Sequence, residues 1–297
     1  MNLEISKEAY SKVNAAVIIS GSARSGTTIL GKLLHSFEGV EYAFEPPTLF
    51  TLVSMINSMT SANWKVLYET YLYEEFFSGA LAGRGLNCNR ADDSSIYRVK
   101  SERCVNERLN GSVGKVEALS NGSNHLLAYK MPDIVPFLPK ITSYYPGTRV
   151  VMMRREAVGT LNSLIAKGWF SDENAAKGMI LPCFNVNGYP VPFWVEEHDR
   201  ESWQGMSEVD RCAYYYVRVN EGVDSIENKI EIKYGDLLSA PEAVIGKLLD
   251  YLGLESGCKT EEIISSIKPT SRVRNMDVLD SISPSLRERV EYFSSQS

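Results

Sequence analysis

Short apolar runs alternate with amphipathic stretches along most of this 297-residue chain, and that alternation sets the expected fold. The β-branched run from Ala15 to Ile19 predicts a buried strand, and Ile29, Leu30, Leu33 and Leu34 then share one face of a helix. Gly39 to Phe44 predicts a second strand. It ends at Glu45-Pro-Pro47, where proline biases the residue before it towards extended backbone, so Glu45 is expected at a strand end. Leu49 to Ala82 is rich in aromatics with a helical period and predicts core-facing helices, whereas Gly83 to Gly114 reads as polar loop.

Downstream, strands are predicted at His125–Lys130, Arg149–Arg154 and Lys229–Tyr234. Helices are predicted at Ile134–Tyr145, Glu156–Ala166, Met206–Asn220 and Glu242–Leu252, the last opened by Pro241 and closed by Gly253, with a final helix from Pro284. Strands alternating with helices imply an α/β fold, a parallel sheet flanked by helices, in a single domain spanning 1–297 behind an N-terminal arm, 1–14. Residues 169–204 are long and irregular. Segments of that length inside a compact domain are commonly functional, and Trp169, Phe193 and Trp194 suggest a lid or pocket wall.

Composition narrows the partners more than the fold. A net charge of −6 argues against general binding to nucleic acid or anionic membranes. Five cysteines, odd in number and without a C-x-x-C pair, suit a reducing compartment. His35, His125 and His198 are too scattered for metal-ligand spacing, so no metal is expected. The polar N-terminus and the lack of an apolar run of about eighteen residues predict a cytoplasmic protein without a membrane span.

Gly21-Ser-Ala-Arg24-Ser-Gly26-Thr-Thr28, between the first strand and its helix, has the makings of a phosphate cradle. Loop amides and a helix N-terminus both favour an anion there. The spacing nearly fits the nucleoside-triphosphate loop, G-x-x-x-x-G-K followed by Ser or Thr, but Thr27 stands where the lysine belongs. A different phosphate ester is therefore expected, held by Arg24, Ser25, Gly26, Thr27 and Thr28. Arg155 at a strand end and Ser163 eight positions on, along one helical face, can share a second phosphate.

Together these stretches resemble the sulfotransferases that use 3′-phosphoadenosine 5′-phosphosulfate (PAPS). Arg24-Ser-Gly-Thr-Thr28 is similar to the family's 5′-phosphosulfate motif, and Arg155 with Ser163 to its 3′-phosphate motif. Ile232-Lys-Tyr234-Gly-Asp-Leu-Leu-Ser-Ala-Pro241, followed by Leu249-Asp-Tyr-Leu-Gly-Leu254, resembles a further family pattern, with Gly235 in place of the usual acidic residue. The resemblance implies PAPS as co-substrate, with adenosine 3′,5′-bisphosphate as product, no metal, and a small-molecule, carbohydrate or lipid hydroxyl as acceptor. Residues 169–204 then become an acceptor-site lid.

Glu45 stands twenty-one positions after Arg24, a spacing similar to that of the base in the protein-tyrosine sulfotransferase branch; His35 is the rival. Lys130 resembles that branch's lysine, which stabilises the bridging oxygen, and Arg24 assists it. By resemblance Tyr234 contacts the nucleotide, and Ser271, Arg272 and Arg274 close over the 3′-phosphate. The alternatives are a P-loop kinase or NTPase, disfavoured by Thr27, and a non-catalytic nucleotide-binding protein of the same fold.

Overall fold

The computed structural model describes residues 4–111, 114–178, 182–268 and 275–297. Seven strands form among them: β1 (Val17–Gly21), β2 (Val40–Phe44), β3 (Leu126–Lys130), β4 (Arg149–Arg154), β5 (Cys183–Val186), β6 (Tyr189–Pro192) and β7 (Lys229–Lys233). Five build one parallel sheet in the order β2-β3-β1-β4-β7, and β5 and β6 pair as a separate antiparallel hairpin.

Helices cover both faces of this sheet, which explains why β1 is buried at every position. Val17 and Ile19 pack with Leu30, Leu33 and Leu34 of the helix Thr27–Ser36 on one side. Ile18 faces the opposite layer with Trp64, Tyr68 and Tyr129. The period of two along each strand thus divides the core into two slabs.

The parallel register places all five strand ends on one edge. Gly21 lies beside Met153, Phe44 beside Lys130, and Arg154 beside Lys233. Ligands of open α/β sheets bind outside the carboxyl ends of the strands. Here those ends deliver the cradle, Glu45, Lys130, Arg155 and Tyr234 to one rim.

Several elements depart from expectation. The N-terminal arm contains a helix, Lys7–Asn14, capped by Ser6 Oγ, which accepts from Ala9 N–H at 3.0 Å. The stretch read as loop up to Gly114 holds the helix Glu102–Asn110. Val105 is its only buried residue, so it carries no apolar stripe for a period to reveal. Between Thr70 and Phe77 the chain is π-helical. Residues five apart align in such a turn, which brings Tyr71 and Phe76 to one side and leaves Leu72 and Phe77 in the core. The aromatics of 169–204 are mostly core: Phe170, Trp194 and Trp203 are buried and meet edge to face.

Candidate active site

The cradle is built by backbone that favours glycine. Gly21 has φ 138°, and a Cβ there would lie 2.5 Å from the Met153 carbonyl oxygen. Gly26 has φ 102°, and a Cβ would meet the Tyr234 ring at 2.6 Å. Arg24, between them, adopts a left-handed φ of 68° despite its side chain. The first intrahelical bond runs from Leu30 N–H to Gly26 O at 3.2 Å, so the amides of Thr27, Thr28 and Ile29 have no acceptor within the helix.

Not every predicted cradle group faces outward. Ser25 is fully buried; its amide and hydroxyl both donate to Ser22 O, at 3.2 and 2.6 Å, closing the turn. Its role is therefore to shape the loop. Thr27 is also buried, while Thr28 is exposed. Of the two threonines at the helix start, Thr28 is thus the one whose side chain is open to a ligand.

Arg24 joins the two predicted phosphate motifs. Its Nε donates to Ser163 Oγ at 3.0 Å, and its carbonyl accepts from Arg155 Nη1 at 2.6 Å. The Arg155 guanidinium lies over the Tyr234 ring, 4.6 Å from its centroid, and the Arg24 guanidinium 5.8 Å from that of Trp169. Adjacent arginines separate cleanly by strand alternation. Arg154 turns into a buried network with Glu231 and Asn220, at 2.8 and 2.9 Å, while Arg155 turns to the rim.

On the other side of β1, Lys130 is 2% exposed and ion-paired with Glu45; its Nζ also donates to Thr28 Oγ1 at 3.1 Å. Burial pushes the Lys130 ammonium below its usual range, and Glu45 opposes that shift. Glu45 does follow a strand, but its backbone is left-handed, φ 44°, not the extended form that Pro46 favours. Two contacts with Lys130 hold it there: its side-chain ion pair and its own N–H, which donates to Lys130 O at 3.0 Å. Such sparsely populated backbone persists only where surrounding contacts over-determine it.

A cavity of about 700 Å³ adjoins this cluster through Thr28, Phe44 and Pro46, while Lys130 and Glu45 themselves are not part of its lining. Thr28, Phe44, Pro46 and Pro47 are among its lining residues, and Lys130 Nζ sits 4.4 Å from the centre of the Phe44 ring. Tyr71 and Phe76 also line it, with Arg84, Leu86, Asn87, Asp92 and Ile96 from the segment that follows. Residues 169–204 contribute nothing to the lining among the described residues. His35 lines the cavity too. Burial and the Lys100 ammonium push its pKa down to about 3, and its ring packs 5.3 Å from Tyr42.

Two charged groups escaped the sequence reading. Asp133, left-handed at φ 74°, accepts from the Tyr215 hydroxyl, which in turn accepts from Ala23 N–H at 2.6 Å. Burial pushes the Asp133 pKa up to about 7. Only its place after Met131-Pro132 at a strand end could have pointed to it. Glu41 is buried between Arg108 and His125, both at 2.8 Å, and its pKa is pulled down to about 2: the His125 and Arg108 contacts outweigh the larger opposing effect of burial. Its partners are scattered along the chain, so no local pattern marks it.

Ser271, Arg272 and Arg274 lie outside the described residues. A grouping of potential metal ligands, Glu196, His198 and Asp199, has Arg218 and Tyr214 already engaging its carboxylates at 2.9 and 2.7 Å. Among the described residues, no helix is long and apolar enough to cross a membrane.

No family model and no curated protein matches the chain. Among solved structures, sulfotransferase STF9 from Mycobacterium avium superposes at a TM-score of 0.50 and 11% identity, over 98% of this chain and 79% of that one. The sulfotransferase domain of the Synechococcus PCC 7002 olefin synthase matches at 0.45 and 13% identity, over 95% and 93% of the two chains. The fold of this chain, a five-stranded parallel sheet between helices, matches that of the sulfotransferases.

Proposed function

We propose that the protein is a PAPS-dependent sulfotransferase acting on a hydroxyl acceptor. The observation that carries this reading is the bridge through Arg24, whose side chain and carbonyl engage Ser163 and Arg155 while its loop opens the cradle helix. One nucleotide with phosphates at both ends would use both motifs. Guanidinium groups bind such oxyanions with forked, charge-assisted hydrogen bonds. Thr27 in place of the phosphate-loop lysine separates the site from that of nucleoside-triphosphate enzymes.

In this reading Glu45 is the base and Lys130 the cation, a pairing supported by their ion pair beside the cradle residue Thr28. The acceptor oxygen forms a bond to sulfur as the bond from sulfur to the 5′-phosphate oxygen breaks. The electron pair leaves with the bisphosphate, and the acceptor's proton passes to the Glu45 carboxylate. Lys130, fixed between Glu45 and Thr28, stabilises charge developing on the bridging oxygen. Arg24 and the helix-opening amides complete the positive environment.

Incubation with isotopically labelled PAPS and a metabolite extract, followed by mass spectrometry, tests the reading. Sulfated products whose formation requires Glu45 are the expected result. Tight nucleotide binding without transfer to any compound would favour a non-catalytic binding protein.

A further inference from the structure

The cavity beside Lys130 carries information about the acceptor that the motifs lack. We propose that the acceptor is an uncharged or cationic hydroxyl compound with an apolar, ring-sized body, a phenol or cyclic alcohol, and not an anionic saccharide or an acidic peptide. The inference rests on the assignment of Glu45 and Lys130 to sulfuryl transfer, and it deepens that assignment from a different set of residues.

Size and surface come first. About 700 Å³ matches pockets that enclose most of a drug-sized molecule. Its wall is mainly apolar, with Phe44, Tyr71 and Phe76 presenting rings and Pro46 and Pro47 stiffening the edge. Phe44 is 44% exposed, at the end of β2 where a hydrophobic residue has core available one position away. Aromatic faces exposed within a cavity favour stacking against a ring.

Charge decides between acceptor classes. An anionic acceptor needs cations that are free to meet it. Of the lining cations, Lys32 is paired with Asp93 at 2.6 Å, which leaves Arg84, an exposed side chain, as the one that can meet an anion among the described lining residues. His35 is neutral, for the reasons given above. Against them the wall carries Glu41, Glu75, Asp92 and Asp93. Glu41 is neutralised from behind by Arg108, so Glu75 and Asp92 stand against Arg84, a surplus of one negative charge. A cleft with that balance repels sulfated or carboxylated acceptors and accepts an ammonium group. The donor side has the reverse character, with Arg24, Arg155 and Lys130 gathered at the rim.

Binding of 2-naphthol, tyramine, a chondroitin disaccharide and a glutamate-flanked tyrosine peptide, each followed by ligand-detected NMR with adenosine 3′,5′-bisphosphate present, tests this. Both phenols are expected to bind in preference to both anions. Phe76→Ala should weaken 2-naphthol by about tenfold or more, through lost ring burial. Glu75→Lys, an exposed change that leaves the fold intact, should weaken tyramine several-fold and leave 2-naphthol unchanged. Preference for the disaccharide or the peptide, or failure of both phenols to bind at millimolar concentration, overturns the proposal even if the bisphosphate binds normally. Phe76-dependent binding of 2-naphthol to a protein that ignores the bisphosphate sustains the cavity's selectivity and removes the donor assignment instead.

Discussion

Arg24 Nε and Ser163 Oγ are hydrogen-bonded at 3.0 Å across 139 positions of sequence, tying the cradle loop to the helix Ala157–Ile165. The serine aims the guanidinium; charge alone does not. Arg24→Lys keeps the charge but loses the fork, and is expected to weaken adenosine 3′,5′-bisphosphate binding about tenfold. Ser163→Ala should act in the same direction, and the double variant should lose less than the sum of the two free-energy changes. Isothermal calorimetry on the four proteins provides the cycle. Strict additivity would show that the contact does not couple the two residues.

Glu45→Gln removes the proposed proton acceptor while retaining a polar group of the same size. Turnover should fall by about 10²–10⁴-fold. Bisphosphate affinity should stay near the wild-type value, because Glu45 contacts Lys130 and not the cradle amides. Single-turnover kinetics with labelled PAPS separates these effects, and undiminished transfer would remove Glu45 from the mechanism.

Lys130 combines the catalytic role proposed above with a costly position, a charge that is 2% exposed. Glu45 is one-third exposed, so water can meet its charge if the partner is lost. Lys130→Met should therefore cut turnover by about 10²–10³-fold without a comparable loss of stability. Thermal unfolding measured beside the rate tests the pair of expectations. A large drop in melting temperature would mean that Lys130 chiefly supports the fold.

Asp133 predicts a pH dependence of stability. Burial, with a smaller contribution from the Glu45 charge, raises its pKa from the ordinary 3.8 to about 7, while Tyr215 and Lys130 oppose the shift. Between about pH 4 and pH 7 the folded protein retains a proton that the unfolded chain has released. Its contribution to stability therefore falls as pH rises through that window, by about 1.4 kcal/mol per unit at most. Asp133→Asn should remove this component. Urea unfolding of both proteins across the window measures the difference, and parallel profiles would place the Asp133 pKa near that of an ordinary carboxylate.

The sheet was legible because its strands are short apolar runs punctuated by glycine, proline and charged ends. The apolar run bounded by arginines marks Arg149–Arg154 to the residue, and an apolar run, a glycine loop and an amphipathic stretch together mark the strand-loop-helix around Gly21 to Thr28. The aromatic segments were harder to assign. Tyr71 and Phe76 lie in a stretch read as core helix, yet a π-helical turn carries them to the cavity. Trp194 and Trp203 lie in a stretch read as lid, yet they are buried. Aromatic composition favours cores and pockets alike, and a local pattern cannot distinguish a 3.6-residue turn from a wider one. The Asp133–Tyr215–Ala23 chain was invisible for another reason, since its members meet only after β3 and the helix Glu208–Glu221 dock against the cradle.

The account depends most on one nucleotide engaging the cradle and Arg155 together. Calorimetric titration of wild type and Arg155→Ala with adenosine 3′,5′-bisphosphate and with adenosine 5′-phosphate tests this directly. The account predicts that wild type prefers the bisphosphate by at least about tenfold, the yield of a desolvated charge-assisted pair, and that Arg155→Ala abolishes most of the preference. Equal affinity of wild type for the two nucleotides, or a preference untouched by the substitution, would contradict it.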